Sequence, residues 1–110
     1  MEAGYNTKTI VCENRNFLVH MLNFENGLLI SITENSPKIG PMLISINSGP
    51  VPSTSIIIPA KSEELFLKLL SQKISSLMKG ICLVTANFEK PLDGETTKQL
   101  MHEIMGEIQQ

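Results

Sequence analysis

Residues 53–88 read STSIIIPAKSEELFLKLLSQKISSLMKGICLVTANF, a β-branched run, an amphipathic segment and a second apolar run in succession. Phe66, Leu69, Leu70, Ile74, Leu77 and Met78 recur at helical spacing. Lys68, Gln72, Lys73 and Ser76 fall largely on the other side. Ser62 stands where an N-cap hydroxyl is wanted, and Glu63 and Glu64 suit the positive end of a helix. Lys79 falls in the last turn, and Gly80 sits where a left-handed residue often stops the helix. One apolar stripe means one buried face, so this helix lies on a sheet. The flanking runs are strands. Ile56, Ile57 and Ile58 end at Pro59, which cannot donate to a ladder. Ile81, Leu83 and Thr85 alternate with Cys82, Val84 and Ala86, so both faces of that strand are apolar or small. Such a strand is central, with a layer on each side, and one of those layers is open to a partner chain.

Before this stretch the chain reads as a β-meander. Residues 1–6 are expected to fray. Thr7–Glu13 is a first strand, Asn14-Arg15-Asn16 a polar turn, and Phe17–Asn23 a second strand. Phe17, Val19 and Met21 share one face of that strand, and Leu18, His20 and Leu22 the other. Asn26-Gly27 between apolar runs is a strong hairpin signal, since both residues tolerate positive φ. A third strand over Gly27–Thr33 then runs antiparallel to the second. The loop 34–41 carries Lys38 and an isolated Ile39. In Met42–Asn47, Met42, Ile44 and Ile46 face away from Leu43, Ser45 and Asn47. A Pro/Gly loop, Ser48-Gly49-Pro50-Val51-Pro52, leads into the stretch quoted above. After a turn at 89–94, a last helix starts near Asp93 and runs to about Ile108, with Leu100, Met101, Ile104, Met105 and Ile108 as its stripe and Lys98, Glu103 and Glu107 facing water. Gly106 weakens that helix by roughly 1 kcal/mol relative to alanine.

The order β-β-β-β-β-α-β-α gives an α+β domain. It has an antiparallel sheet of about six strands with two helices on one face, in a single domain over residues 1–110. Such a chain buries roughly two-thirds of the surface its unfolded form exposes. Two helices cover one face only, so the other apolar face is available to a dimer partner.

Composition removes several classes of function. The formal net charge is −2 with no basic stripe, which argues against nucleic acid. No run approaches the roughly 20 apolar residues of a membrane span, and the N-terminus lacks the basic and apolar regions of a signal peptide. The two cysteines, Cys12 and Cys82, sit in apolar strands and read as buried free thiols, with a bridge or a reactive thiol as the alternative. The expected location is cytosolic or nuclear. The six methionines are core residues or part of an adaptable binding surface.

The sequence holds no catalytic constellation. His20 reads as a core or interface histidine, and His102, beside Glu103, as a rim residue. No His-x3-His, CxxC or carboxylate cluster suggests a metal, and neither a P-loop nor a G-x-G-x-x-G suggests a nucleotide. No cofactor is expected. Ser53, Thr54 and Ser55 have no base or oxyanion glycines near them in sequence.

Several strings resemble one family, the small proteasome assembly chaperones known as chaperones 3 and 4. KTIVC (Lys8 to Cys12), LLISIT (Leu28 to Thr33), KIG (Lys38 to Gly40) and LISI (Leu43 to Ile46) resemble chaperone 3. PVPSTSII (Pro50 to Ile57) is similar to chaperone 4. The resemblance spans residues 7–108. It implies a non-enzymatic protein that works as a dimer, with a paralogous small chaperone or with itself. That dimer binds α-type proteasome subunits while the α ring is built. Val19, Met21, Ile30, Ile44 and Ile46 are the expected dimer contacts, and Lys38 and Pro50, Val51 and Pro52 the expected docking edges. Two other classes stay open: a dimeric α+β adaptor unrelated to the proteasome, and an enzyme or ligand-binding domain.

Overall fold

The computed structural model describes residues 4–47, 50, 53–60, 63–78 and 80–108. The expected cap Ser62, the last-turn cation Lys79, the docking candidates Val51 and Pro52, the loop residues Ser48 and Gly49, and the Met78 side chain lie outside the described residues.

The elements are β1 (Gly4–Cys12), β2 (Arg15–Phe24), β3 (Gly27–Glu34), β4 (Met42–Ile46), β5 (Ser53–Ile58), α1 (Glu64–Met78), β6 (Ile81–Asn87) and α2 (Gly94–Ile108). The order and the α+β class are those expected. β1 begins earlier than expected, so residues 4–6 pair with β2 rather than fray. The strands form one sheet in the order β1-β2-β3-β6-β4-β5, which inserts β6 between two strands that are neighbours in sequence. All pairs are antiparallel except β3 with β6, which is parallel. The sheet is thus mostly antiparallel, as expected, with one parallel pair. α1 carries the chain back along the sheet between β5 and β6, and a helical crossover of this kind lets β6 run parallel to its neighbour β3.

The core lies between the sheet and the two helices. Register sets Val19 opposite Ile32, Met21 opposite Ile30, and Val84 between Ile30 and Leu43. Phe66, Leu67, Leu70 and Ile74 of α1 and Leu100 and Ile104 of α2 close over them. Each such aliphatic or aromatic side chain contributes about 1.5–3 kcal/mol by leaving water.

The buried stripe of α1 differs from the expected one. Leu67 is buried, while Leu69 and Leu77 are each 50% exposed. The reason is serine. Ser71 and Ser75 are fully buried. Ser71 Oγ bonds Ser45 Oγ at 2.8 Å and donates to the Lys68 carbonyl at 3.2 Å. Ser75 Oγ donates to the Gln72 carbonyl at 3.3 Å. With their hydroxyls satisfied, two small side chains stand at the sheet in place of the expected leucines.

In α2, Asp93 caps the first turn by accepting from the Thr96 N–H at 2.7 Å, and that bond holds its carboxyl below the usual range. Glu103 and Glu107 do not simply face water. Both accept from Lys8 Nζ of β1, at 3.0 and 3.2 Å.

Three turn readings are also corrected. The β1–β2 turn is Glu13-Asn14, at φ 52° and 62°, and Arg15 and Asn16 already belong to β2. Positive φ at both central residues is the primed geometry that matches strand twist. Gly27 and Gly80 do not have positive φ. They are needed for close approach instead. A Cβ on Gly27 would lie 2.2 Å from the Ile81 carbonyl oxygen, and one on Gly80 would lie 2.5 Å from that of Asn26.

Candidate functional site

Strand register builds a second apolar surface on the face away from the helices. Tyr5 stands opposite Leu22, Leu22 opposite Leu29, Leu29 opposite Leu83, Leu83 opposite Ile44, and Ile44 opposite Ser55. Five of the six residues in this row are apolar or aromatic, and it crosses all six strands. At about 4.8 Å per strand it spans roughly 24 Å. A neighbouring row runs Phe24, Gly27, Ile81, Ile46. Phe24 is 47% exposed, Ile46 39% and Ile81 37%. Because Gly27 has no side chain, the second row is dimpled. Phe24, Leu29, Ile81 and Leu83 help to wall a depression of about 180 Å³ there, which fits one aliphatic side chain from another molecule.

The face changes character toward its other end. The next row is Thr7, His20, Ser31, Thr85 and Met42. His20 stacks on Tyr5 with ring centroids 6.2 Å apart. Beyond Met42, the segment 35–41 crosses the end of β6. Thr85 Oγ1 donates to the Gly40 carbonyl at 3.2 Å, and the Pro41 carbonyl accepts from the Ala86 N–H at 3.0 Å. Nearby, Thr33 Oγ1 is buried with no hydrogen-bond partner among the described residues. The open face is therefore apolar at the Gly27 end and polar and partly roofed at the Asn87 end.

The expected contact residues divide between the two faces. Ile44 and Ile46 lie on the open face. Val19, Met21 and Ile30 do not: they are 1%, 3% and 0% exposed and packed beneath the helices. The correction follows from the pleat. Val19 and Met21 alternate with Leu18, His20 and Leu22, so only one of the two sets reaches the open side. Lys38 is exposed on the segment over the Asn87 end, whereas Pro50 is exposed in the connection after Ile46. The fold sets these two docking candidates at opposite ends of the sheet. The open-face residues that sequence reasoning does not single out are Tyr5, Leu22, Phe24, Leu29, Ile81 and Leu83. The signal that could find them is the polar content of their face, since His20, Ser31 and Thr85 alternate with wholly apolar positions on the other.

The chemistry-bearing side chains are engaged structurally. Cys12 and Cys82 are buried free thiols. Cys12 Sγ donates to Gln99 Oε1 at 3.0 Å, and burial pushes the Cys82 thiol up to about 12. Thr54 Oγ1 bonds Ser45 Oγ at 2.8 Å and accepts from Gln72 Nε2 at 3.0 Å. Among the described residues, no group of three or more His, Cys, Asp or Glu could hold a metal ion.

No protein-family model matches the chain, and no curated protein matches it significantly. Its fold is similar to that of a solved chain from a novel chaperone complex for yeast 20S proteasome assembly. The TM-score is 0.70 at 11% identity, over 97% of this chain and 92% of that one.

Proposed function

We propose that this protein is a non-enzymatic assembly chaperone of the proteasome core particle. It works in the cytosol or nucleus, as a dimer that binds α-type subunits while the α ring is built. The observation that carries this reading is the row from Tyr5 to Ile44, an apolar surface across the sheet with no helix over it. Two such faces brought together exclude water from both. The likeness of fold to a chain from a proteasome-assembly chaperone complex supports this reading, because it extends over 97% of the chain. The strings KTIVC, LISI and PVPSTSII support it from the sequence side.

The partner is a paralogous small chaperone or a second copy of this chain. The dimple over Gly27 takes one of its aliphatic side chains. The test is a tagged pull-down of the full chain from its native cell, read by mass spectrometry. Recovery of α-type subunits with a second small β-rich protein supports the reading. Recovery of an unrelated complex, with no α subunit at gentle salt, replaces it with a dimeric adaptor of the same fold.

A further inference from the structure

The helix layer holds an independent feature. Between α1 and α2 runs an open groove of about 590 Å³, lined by Lys73 and Leu77 of α1 and by Lys98, Met101 and Met105 of α2. Leu69 extends it along α1. Its floor is apolar and its rim is basic, with Lys73 on one wall and Lys98 and His102 on the other. Among the described residues no carboxylate lines it, although the chain as a whole carries a formal net charge of −2. Lys8, Arg15 and Lys68 each pair with a carboxylate. Among the described residues, neither Lys73 nor Lys98 does.

We propose that this groove receives an acidic amphipathic helix from a partner protein. Leu69 and Leu77 lie eight residues apart, about 12 Å along α1, which matches apolar anchors two turns apart on an incoming helix. Met101 and Met105 are unbranched and adapt to its shape. Lysines on both walls select carboxylates on both flanks of the incoming stripe. Concavity favours a helix over a bilayer, since a flat surface would meet the rim and leave the floor empty. The groove lies on the opposite side of the sheet from the open face, so the two can be occupied together, and this proposal does not depend on the assignment of the open face.

The probe is a capped 15-residue peptide with Leu at i, i+4, i+7 and i+11 and Glu on both flanks, titrated into full-length protein carrying methyl-labelled methionine. A second peptide replaces each Glu with Lys. The expected result is shifts at the Met101 and Met105 methyls and binding of the acidic peptide roughly tenfold tighter than the basic one, with the gap closing at high salt. The K73E/K98E double variant reverses the preference. Neither position has an ion-pair partner among the described residues, so its thermal midpoint stays near that of the parent, and a Leu77→Asp variant tests the floor separately. Equal binding of the two peptides, absence of shifts at millimolar acidic peptide, or shifts confined to the open face would overturn the proposal. Co-sedimentation with phosphatidylserine vesicles that K73E/K98E abolishes, without peptide binding, would overturn it in favour of a membrane surface.

Discussion

Arg15 and Glu34 form a two-pronged ion pair, with Nε to Oε2 at 2.9 Å and Nη2 to Oε1 at 2.7 Å, and the two side chains are only 6% and 5% exposed. Both side chains make further hydrogen bonds. Arg15 also donates to the carbonyls of Lys90 at 2.8 Å and Pro91 at 3.2 Å, and Glu34 accepts from the Glu89 N–H at 2.9 Å. The pair ties the far ends of β2 and β3 to the segment between β6 and α2. Deleting one partner strands a buried charge, so Glu34→Gln or Arg15→Met costs about 3–5 kcal/mol. The joint change R15M/E34L, which leaves no charge, recovers more than half of that. Urea unfolding of the three variants checks both statements.

The same pair gives a pH dependence. Chiefly through the bonds from Arg15, the Glu34 carboxyl is held below the usual glutamate value of 4.5. Its unfolded form therefore binds a proton at higher pH than its folded form does. The stabilisation is fully present above about pH 5 and is lost as the pH falls through the folded value. Parent protein should lose urea midpoint as the pH falls below about 5, and E34Q should show a shallower decline. Parallel declines would assign the acid sensitivity to other groups.

Substitutions on the two faces separate folding from association. Val19→Asp puts a charge at a position 1% exposed and should leave no cooperative unfolding transition. Ile44→Asp and Leu83→Asp sit on the open face, so each should remain folded by circular dichroism and, on the proposed reading, lose the association with a second copy or a paralogue that light scattering reads for the parent. A dimer that survives both changes would move the association surface elsewhere.

Two glycines answer alanine in opposite ways. A Cβ on Gly27 meets the Ile81 carbonyl oxygen, so Gly27→Ala must displace β6 or the turn and should lower the thermal midpoint. At Gly106 in α2 an added methyl would have nothing within 4 Å. Gly106→Ala should therefore raise the midpoint by a few degrees, for a gain of about 0.5–1 kcal/mol.

Burial of both thiols sets their reactivity. A thiol reagent at about pH 8 should leave native protein unmodified, because only the thiolate attacks and burial pushes Cys82 up to about 12. Both cysteines should react once guanidinium unfolds the chain.

Element order is legible from the chain because each strand and helix carries its own period and its own breaks. The sheet face is not. β2 and β6 are largely apolar on both sides, so alternation shows two sets of side chains, and only isolated polar residues such as His20 and Thr85 mark the set that turns away from the helices. Sequence alone therefore groups Val19, Met21 and Ile30 with Ile44 and Ile46, which point the other way. The strand order β3-β6-β4 is hidden for a related reason: local patterns report hairpins, and the contact of β6 with β3 is not local. Arg15 and Glu34 read as turn and loop residues because each is polar and lies near a break. Their burial becomes visible only when the hairpin brings them together. Ser71 and Ser75 are likewise polar residues that the fold buries, where they complete the stripe of α1.

The place of β6 bears on synthesis. β3 and β4 are made one after the other, yet neither can complete its ladder until residues 81–87 have left the ribosome. Until then each offers an unpaired edge to any passing strand. Closure also waits for Gly27 and Gly80, whose bare backbones admit the Ile81 N–H to the Asn26 carbonyl at 2.9 Å. A side chain at either glycine would prolong that interval, so loss of yield through aggregation in the cell should exceed what the equilibrium stability of the purified variant accounts for.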